Sequence, residues 1–352
     1  MKKTLMVMAG GTGGHVYPAM AVADYLMDKG WQIVWLCTEG GMENRLIENK
    51  AYAKSIINMK GVRGKGLIGW LQLPVKLMKA CKQAYNAIYE YKPNLILGMG
   101  GFAAFPGGVM AKLTKTPLII HEQNSVAGLT NKCLAKLANK TLAAFPSAFG
   151  NKATVIGNPV RREIVKVMPP SYRFEQRQGP LRILVVGGSL GAQALNETLP
   201  KAFALFGEPL EIVHQAGIKH IDRLNQAYKD VQVSAQTIAF IEEMASMYEW
   251  ADIVICRAGA LTVAELSAAG VASILVPFPF AVDDHQTGNA RYLADAEAAI
   301  LVQQTALTVE KVVALLGTIT REKCKAMAIK AHLLGKPNAT SAVARVCEVN
   351  AL

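Results

Sequence analysis

The chain has 352 residues, of which 51% are hydrophobic and 18% charged, with a formal net charge of +12. That length exceeds what one hydrophobic core usually serves, and the apolar content excludes a disordered or fibrous chain, so two domains of ordinary size are expected. The excess of Lys and Arg implies an anionic partner (nucleic acid, an acidic membrane surface or a phosphorylated substrate), and charge alone does not choose among them.

The apolar stretch from Leu5 to Ala9 is too short for a signal-peptide core and runs straight into Gly10-Gly11-Thr12-Gly13-Gly14, so a buried first strand is expected there. Ile33 to Leu36, Leu95 to Leu97 and Pro117 to Ile120 have the length and composition of further buried strands. The longest uncharged stretch, Leu95 to Ala111, contains several glycines and Pro106, which suits a strand and loop; no transmembrane segment is expected. From Val167-Met168-Pro169-Pro170 to Arg177-Gln178-Gly179-Pro180 the chain is Pro-rich and without apolar periodicity, as a linker between domains would be. A second series of strands is expected at Arg182 to Val186, Glu211 to Val213, Ile253 to Ile255 and Ser273 to Val276. Short apolar runs alternating with longer amphipathic stretches give an α/β class built of βα units. The six cysteines (Cys37, Cys81, Cys133, Cys256, Cys324, Cys347) form no C-x-x-C pair and no zinc spacing, so they read as small core residues.

Each half opens with a strand, a glycine-rich turn and a helix: Gly10 to His15 in the first, Gly187-Gly188-Ser189-Leu190-Gly191-Ala192 in the second. Glycines there permit positive φ and let main-chain N–H groups approach an anion at a helix N-terminus. Two Rossmann-like parallel-sheet domains facing a cleft are the architecture this implies. Neither turn is a dinucleotide fingerprint followed by an acidic residue, and the P-loop pattern is absent, which argues against a nicotinamide dehydrogenase and a P-loop NTPase.

The segment Cys256-Arg257-Ala258-Gly259-Ala260-Leu261-Thr262-Val263-Ala264-Glu265 again brings small residues to a helix start after a strand, with Thr262 as a phosphate ligand. Glu265 is either the acceptor of two ribose hydroxyls or a solvated glutamate at a helix end. Asp283-Asp284-His285-Gln286-Thr287-Gly288-Asn289 supplies the paired donors and acceptors that sugar hydroxyls need, or a polar helix cap.

Taken in order, Gly10 to His15, His121-Glu122-Gln123-Asn124, Gly157-Asn158-Pro159-Val160-Arg161, Gly187-Gly188-Ser189, Arg257 to Glu265, and Asp284-His285-Gln286 with Asn289-Ala290 resemble the GT-B glycosyltransferases along the whole chain. Within them, the resemblance is to the UDP-N-acetylglucosamine transferases that add the second sugar of the peptidoglycan precursor lipid. It implies an inverting transfer of N-acetylglucosamine to the muramyl 4-hydroxyl of an undecaprenyl-linked muramyl peptide, at the cytoplasmic face of the bacterial inner membrane. It implies an acceptor domain over residues 1–160, joined by a final helix at 338–352, and a UDP-sugar domain over 161–337. Ser189, Ala260, Leu261, Thr262, Val263, Ala264, Glu265, Ile241 and Arg161 would hold the UDP, Glu265 at the ribose and the backbone of Ile241 at the uracil. Gln286 and Asn124 would contact the sugar, and Thr12, Gly13 and Gly14 would line the cleft from the other domain. Leu190 and Gln193 stand where relatives often carry Gln and Arg, so phosphate binding leans on backbone N–H groups and Ser189. No cofactor is expected and, without a D-x-D motif, no protein-bound metal. Cell-wall assembly proteins are further candidate partners.

Inversion at the anomeric carbon needs a base for the acceptor hydroxyl. His15, directly after Gly13-Gly14, suits that task near neutral pH or else holds the turn; Glu122 is the rival base. Leu67, Ile68, Trp70 and Leu71, flanked by Lys60, Arg63, Lys65, Lys76, Lys79 and Lys82, fit an interfacial anchor on anionic lipid. Two other functions are weighed: a UDP-N-acetylglucosamine epimerase of the same fold, which needs no lipid acceptor, and a nucleic-acid-binding protein. The basic residues are dispersed and no nucleic-acid motif accompanies them, so no nucleic-acid partner is expected.

Overall fold

The computed structural model describes residues 2–59, 72–175, 177–188 and 191–352. They form two compact units, Met1–Arg161 with Pro337–Leu352, and Arg162–Lys336. The first holds a parallel sheet of β1 (Thr4–Ala9), β2 (Gln32–Thr38), β3 (Ala53–Ile57), β4 (Leu95–Gly100), β5 (Leu118–Glu122), β6 (Lys140–Ala143) and β7 (Thr154–Val155), in the order β3-β2-β1-β4-β5-β6-β7. The second holds β8 (Leu181–Val186), β9 (Leu210–Gln215), β10 (Gln236–Ile238), β11 (Ile253–Cys256), β12 (Ala272–Leu275) and β13 (Ala299–Leu301), in the order β10-β9-β8-β11-β12-β13. The expected α/β class with two Rossmann-like parallel-sheet domains is what the chain adopts.

Strand β1 explains why its sequence is apolar without alternation. Leu5, Val7 and Ala9 enter one core, Met6 and Met8 another on the opposite face, and all five are fully buried. Helix Gly13–Asp28 covers the first face with Val16, Ala19, Val22, Ala23 and Leu26, beside Val343, Ala344 and Cys347 of helix Ala339–Asn350. Helix Leu73–Tyr91 covers the second with Ala80, Ala84, Ala87 and Ile88. Each buried Val or Leu contributes about 1.5–3 kcal/mol, so the terminal helix is a structural part of the first unit. Its end is tied down by Leu352 N donating to Asn94 O at 3.1 Å and Asn94 Nδ2 to Leu352 O at 2.8 Å.

The sequence reading finds the central strands but not β3, β6, β7, β10 and β13, which lie at or toward the sheet edges. Edge strands are covered on fewer sides and so carry mixed composition, as in Ala53-Lys54-Ser55-Ile56-Ile57, where Ala53, Lys54 and Ile56 are exposed. A second difference concerns the expected linker at 167–180. It lies inside the second unit, and the chain passes between units at Arg161 and Arg162. Phe174, Arg173 and Arg177 anchor it there without any periodicity, Arg177 donating to Ala251 O at 2.7 Å and to the buried Asp252 Oδ1 at 2.5 Å. Phe174 is buried in the core of that unit, and the buried Arg173 donates to the carbonyls of Ala269 and Gly270 at the C-terminus of helix Ala260–Ala269. A cation satisfying the last carbonyls of a helix is favoured by both hydrogen bonding and the dipole.

Candidate active site

In a doubly wound sheet the crevice lies at the carboxyl ends of the strands, where the strand order reverses. In the first unit that point is between β1 and β4. The turn after β1, Gly100-Gly101 at the end of β4, and His121 to Gln123 at the end of β5 converge there. The glycines are demanded by packing. A Cβ on Gly10 would lie 2.8 Å from the Glu43 carboxylate, and one on Gly101 would lie 2.6 Å from Gly10 O. Glu43, fully buried, accepts from Gly11 N at 3.3 Å, Thr38 N at 2.8 Å and Thr38 Oγ1 at 2.7 Å, and so fixes the turn. Thr12 precedes helix Gly13–Asp28 in an extended conformation and its side chain makes no cap, so the first-turn N–H groups have no side-chain cap from Thr12.

His15 is half-buried, its ring lying against Gly100, where a Cβ would come within 3.0 Å of it. Its Nδ1 is 2.8 Å from Gln123 Oε1. Gln123 Nε2 lies 3.1 Å from His121 O and 3.1 Å from His121 Nδ1, and His121 Nε2 is 2.8 Å from Gly157 O. Burial pushes His121 down to about 4, so this imidazole is neutral around neutral pH. The sequence places His121 and Gln123 in the motif His121-Glu122-Gln123-Asn124 but assigns neither a role. The available signal is the polar pair His121-Glu122 closing an otherwise apolar strand, with polar Gln123 directly after it.

Glu122 is buried and its carboxylate is occupied. Oε1 accepts from Asn124 N at 3.0 Å and Asn124 Nδ2 at 3.3 Å; Oε2 accepts from Gly128 N at 3.1 Å and Asn131 Nδ2 at 2.8 Å. These four donors make Glu122 the clasp of the loop that carries Asn124, a task that competes with proton abstraction.

In the second unit the strand order reverses between β8 and β11. Gly188 after β8 has φ 83°, and Gln215, the last residue of β9, accepts from Gly188 N at 3.0 Å while donating to Gly188 O and Ala239 O at 3.0 Å each. A Cβ on Gly191, where φ is 77°, would fall 2.2 Å from Ala216 O. Ser189 and Leu190 of this turn lie outside the described residues. Beneath it, His214 is 2.9 Å from Tyr228 Oη and 3.0 Å from Asn196 Oδ1, and burial pushes it down to about 3. Asn196 Nδ2 donates to Ala216 O at 3.1 Å, so the buried network supports the turn from below.

Helix Ala260–Ala269 follows β11 with extended Gly259 as its N-cap and no side-chain cap. Ala260 and Val263 are buried, and Leu261, Thr262 and Ala264 half-buried. Glu265 is 5% exposed and accepts from Tyr248 Oη at 3.2 Å, so it is no solvated helix-end charge. Gln286 Oε1 accepts from Phe278 N at 2.9 Å, which orients its amide. Arg257 holds that segment by donating to Val276 O at 3.2 Å, Pro277 O at 3.3 Å and Gln304 Oε1 at 2.6 Å. Asn289 Nδ2 donates to Ala258 O at 3.1 Å, and Asp284 Oδ1 accepts from Thr287 Oγ1 at 2.7 Å, making Asp284 part of a helix start. Ile241 is buried beyond the end of β10, and Arg161, half-buried, ends the first unit. Thus Thr12 to His15 and His121 to Asn124 share the carboxyl end of one sheet, and the Gly187 turn, the Glu265 helix and Gln286 follow strand ends of the other. Leu67, Ile68, Trp70 and Leu71 lie outside the described residues.

Residues 5–143 match the glycosyltransferase family 28 N-terminal domain and residues 182–344 the glycosyltransferase family 28 C-terminal domain. The chain is 54% identical over 349 residues to the UDP-N-acetylglucosamine--N-acetylmuramyl-(pentapeptide) pyrophosphoryl-undecaprenol N-acetylglucosamine transferase of Dechloromonas aromatica, covering 99% of each. The protein of the same name from Nitrosospira multiformis is 50% identical over 351 residues, covering 99% of this chain and 98% of the relative. Among solved structures, Acinetobacter baumannii MurG superposes with a TM-score of 0.89 at 43% identity over 99% of both chains. A UDP-GlcNAc 2-epimerase from Neisseria meningitidis, at 14% identity and a TM-score of 0.64, covers 97% of this chain and 98% of its own and has the fold in common. With both family domains matched in order and half-identical relatives aligned end to end, the chain belongs to glycosyltransferase family 28.

Proposed function

We propose that this glycosyltransferase moves N-acetylglucosamine from UDP-N-acetylglucosamine to the 4-hydroxyl of an N-acetylmuramyl peptide carried on undecaprenyl pyrophosphate. The observation that carries this reading is the 54% identity, end to end, with a transferase named for that reaction. The site chemistry supports it. The unit of residues 162–336 holds the donor: the Gly187 turn and the N–H groups of helix Ala260–Ala269 take the diphosphate, buried Glu265 accepts from the ribose, the backbone of Ile241 meets the uracil, and Gln286 meets the sugar. Thr12, Gly13, Gly14 and Asn124 contribute further donor contacts, and Ser189 and Arg161 complete the phosphate contacts.

The transfer proceeds by attack of the acceptor oxygen on the anomeric carbon. As the new C–O bond forms, the bond to the β-phosphate oxygen breaks, its electron pair leaves with UDP, and the anomeric configuration inverts. His15 accepts the hydroxyl proton at the ring nitrogen that Gln123 does not engage, while oriented N–H groups and Arg161 stabilise the leaving charge. Glu122 orders the loop around Asn124.

The acceptor lipid places the reaction at the cytoplasmic face of the bacterial inner membrane. Among the described residues no helix is long and apolar enough to cross a membrane, and this reading has the chain attached peripherally. Supporting a peripheral attachment, helix Leu73–Tyr91 has one face of exposed Val75, Met78, Tyr85 and Tyr89 interleaved with exposed Lys79 and Lys82. Apolar side chains ringed by lysines suit an anionic leaflet. The anchor at Leu67, Ile68, Trp70 and Leu71 directly precedes that helix, and cell-wall assembly proteins are candidate partners. The test is incubation with labelled UDP-N-acetylglucosamine and a lipid-linked muramyl acceptor. Lipid-linked disaccharide with release of UDP is the expected product; donor hydrolysis or 2-epimerisation without disaccharide refutes the proposal.

A further inference from the structure

A neutral imidazole has one bare nitrogen, and the hydrogen bond made by the other decides which it is. His15 engages Gln123 through Nδ1, so its tautomer depends on which end of the Gln123 amide faces it. The surrounding contacts fix that end. The other terminal atom of Gln123 is 3.1 Å from the main-chain oxygen of His121, which can only accept, so this atom is the NH2 group. The same atom is 3.1 Å from His121 Nδ1. His121 Nε2 lies 2.8 Å from Gly157 O, another pure acceptor, so Nε2 carries the ring proton and Nδ1 is bare, again asking for a donor. With its nitrogen so committed, Gln123 presents oxygen to His15 Nδ1 at 2.8 Å, and an oxygen requires N–H there.

The relay is rigid. His121 is fully buried and Gln123 is 1% exposed, so water does not compete for these contacts. Gln123 O also accepts from Asn158 Nδ2 at 3.0 Å, and glycine at position 100 leaves room for the His15 ring. We propose that Gln123, backed by His121 and the Gly157 carbonyl, is a positioning residue that holds His15 as the Nδ1–H tautomer and leaves Nε2 as the atom that takes the acceptor proton. The catalytic use of this relay rests on the reading of His15 as the base; the tautomer itself does not.

The test is ring nitrogen NMR on the full-length protein labelled at histidine, with the His15 signals identified by their loss in His15→Asn. The wild type shows a protonated Nδ1 and a bare Nε2 at neutral pH. Gln123→Met, similar in shape but without the acceptor, moves the His15 signals toward the Nε2–H form. Its kcat falls at least tenfold, a part of the roughly 10²–10⁴ that a base supplies, with donor KM unchanged. Gln123→Glu, kept protonated by burial, again offers an oxygen to Nδ1 and restores the wild-type signals and part of the rate. Should Gln123→Met fail to fold, the wild-type and Gln123→Glu spectra still decide. A wild-type His15 found as Nε2–H overturns the proposal, as does a folded Gln123→Met with unchanged tautomer and kcat. A wild-type Nδ1–H tautomer together with near-normal kcat in His15→Ala keeps the relay and removes His15 as base, so the two failures are distinguishable.

Discussion

Replacing Glu122 with Gln separates a loop clasp from a catalytic base. Each carboxylate oxygen of Glu122 takes two donors, Asn124 N and Nδ2 on one, Gly128 N and Asn131 Nδ2 on the other. An amide keeps one oxygen and turns NH2 toward the other pair, where three donors then face one another. The less costly choice sets the NH2 against Asn124, which is half-buried, and spares the buried Asn131. Losing two charge-assisted bonds, with water relieving part of the mismatch, costs about 3 kcal/mol. In a domain of this size that lowers the melting temperature by ~6–12 °C. Differential scanning calorimetry of the full chain, with donor and acceptor kinetics well below any transition, measures both effects. The clasp assignment expects the lowered melting temperature and a kcat reduced by less than about tenfold. An unchanged melting temperature with kcat down by ~10²–10⁴ would instead make Glu122 the base and refute the reasoning.

His15→Ala should lower kcat by about 10²–10⁴ with donor affinity little changed, and a near-normal kcat in steady-state kinetics would exclude His15 as the base. Glu265→Ala should weaken donor binding at least tenfold, the equivalent of about 1.5–3 kcal/mol of charge-assisted hydrogen bonding; an unchanged donor Kd by calorimetry would leave the buried carboxylate a purely structural partner of Tyr248. His121 and His214, held down to about 4 and about 3 by burial, bind protons in the unfolded chain before the folded one. Stability is therefore greatest above the unfolded histidine value near ~6.5 and falls on acidification, each unit losing about 2 kcal/mol by about pH 5; urea midpoints that do not move between neutral pH and that point would contradict it. Serine at Val75, Met78, Tyr85 and Tyr89 should reduce sedimentation with anionic vesicles, and undiminished binding would move the membrane contact off this helix.

The order of motifs along the chain was legible before any coordinates. The apolar runs at Leu5 to Ala9 and Ile253 to Ile255, buried on both faces, had no freedom to be anything but central strands, and the glycines after them marked the carboxyl ends where ligands bind. Edge strands such as β7 and β10 were hidden because one open side removes the apolar signature. The segment expected as a linker belongs to the second unit because one Phe and two Arg, without periodicity, anchor it there. Within the site, sequence could nominate His15, Glu122 and Glu265 by residue type and place, since those properties are local. It could not say that Glu122 is engaged by four donors, that Glu265 is buried, or that Gln123 faces Nδ1 of His15. The donors to Glu122 lie within nine residues of it but reach it only because the loop folds back, whereas contacts such as position 15 with 123 and 121 with 157 join residues far apart in the chain, which only tertiary packing brings within hydrogen-bond distance. Chemistry was therefore readable from which residues the chain contains, whereas the protonation state and availability of each group were decided by the folded neighbours that surround it.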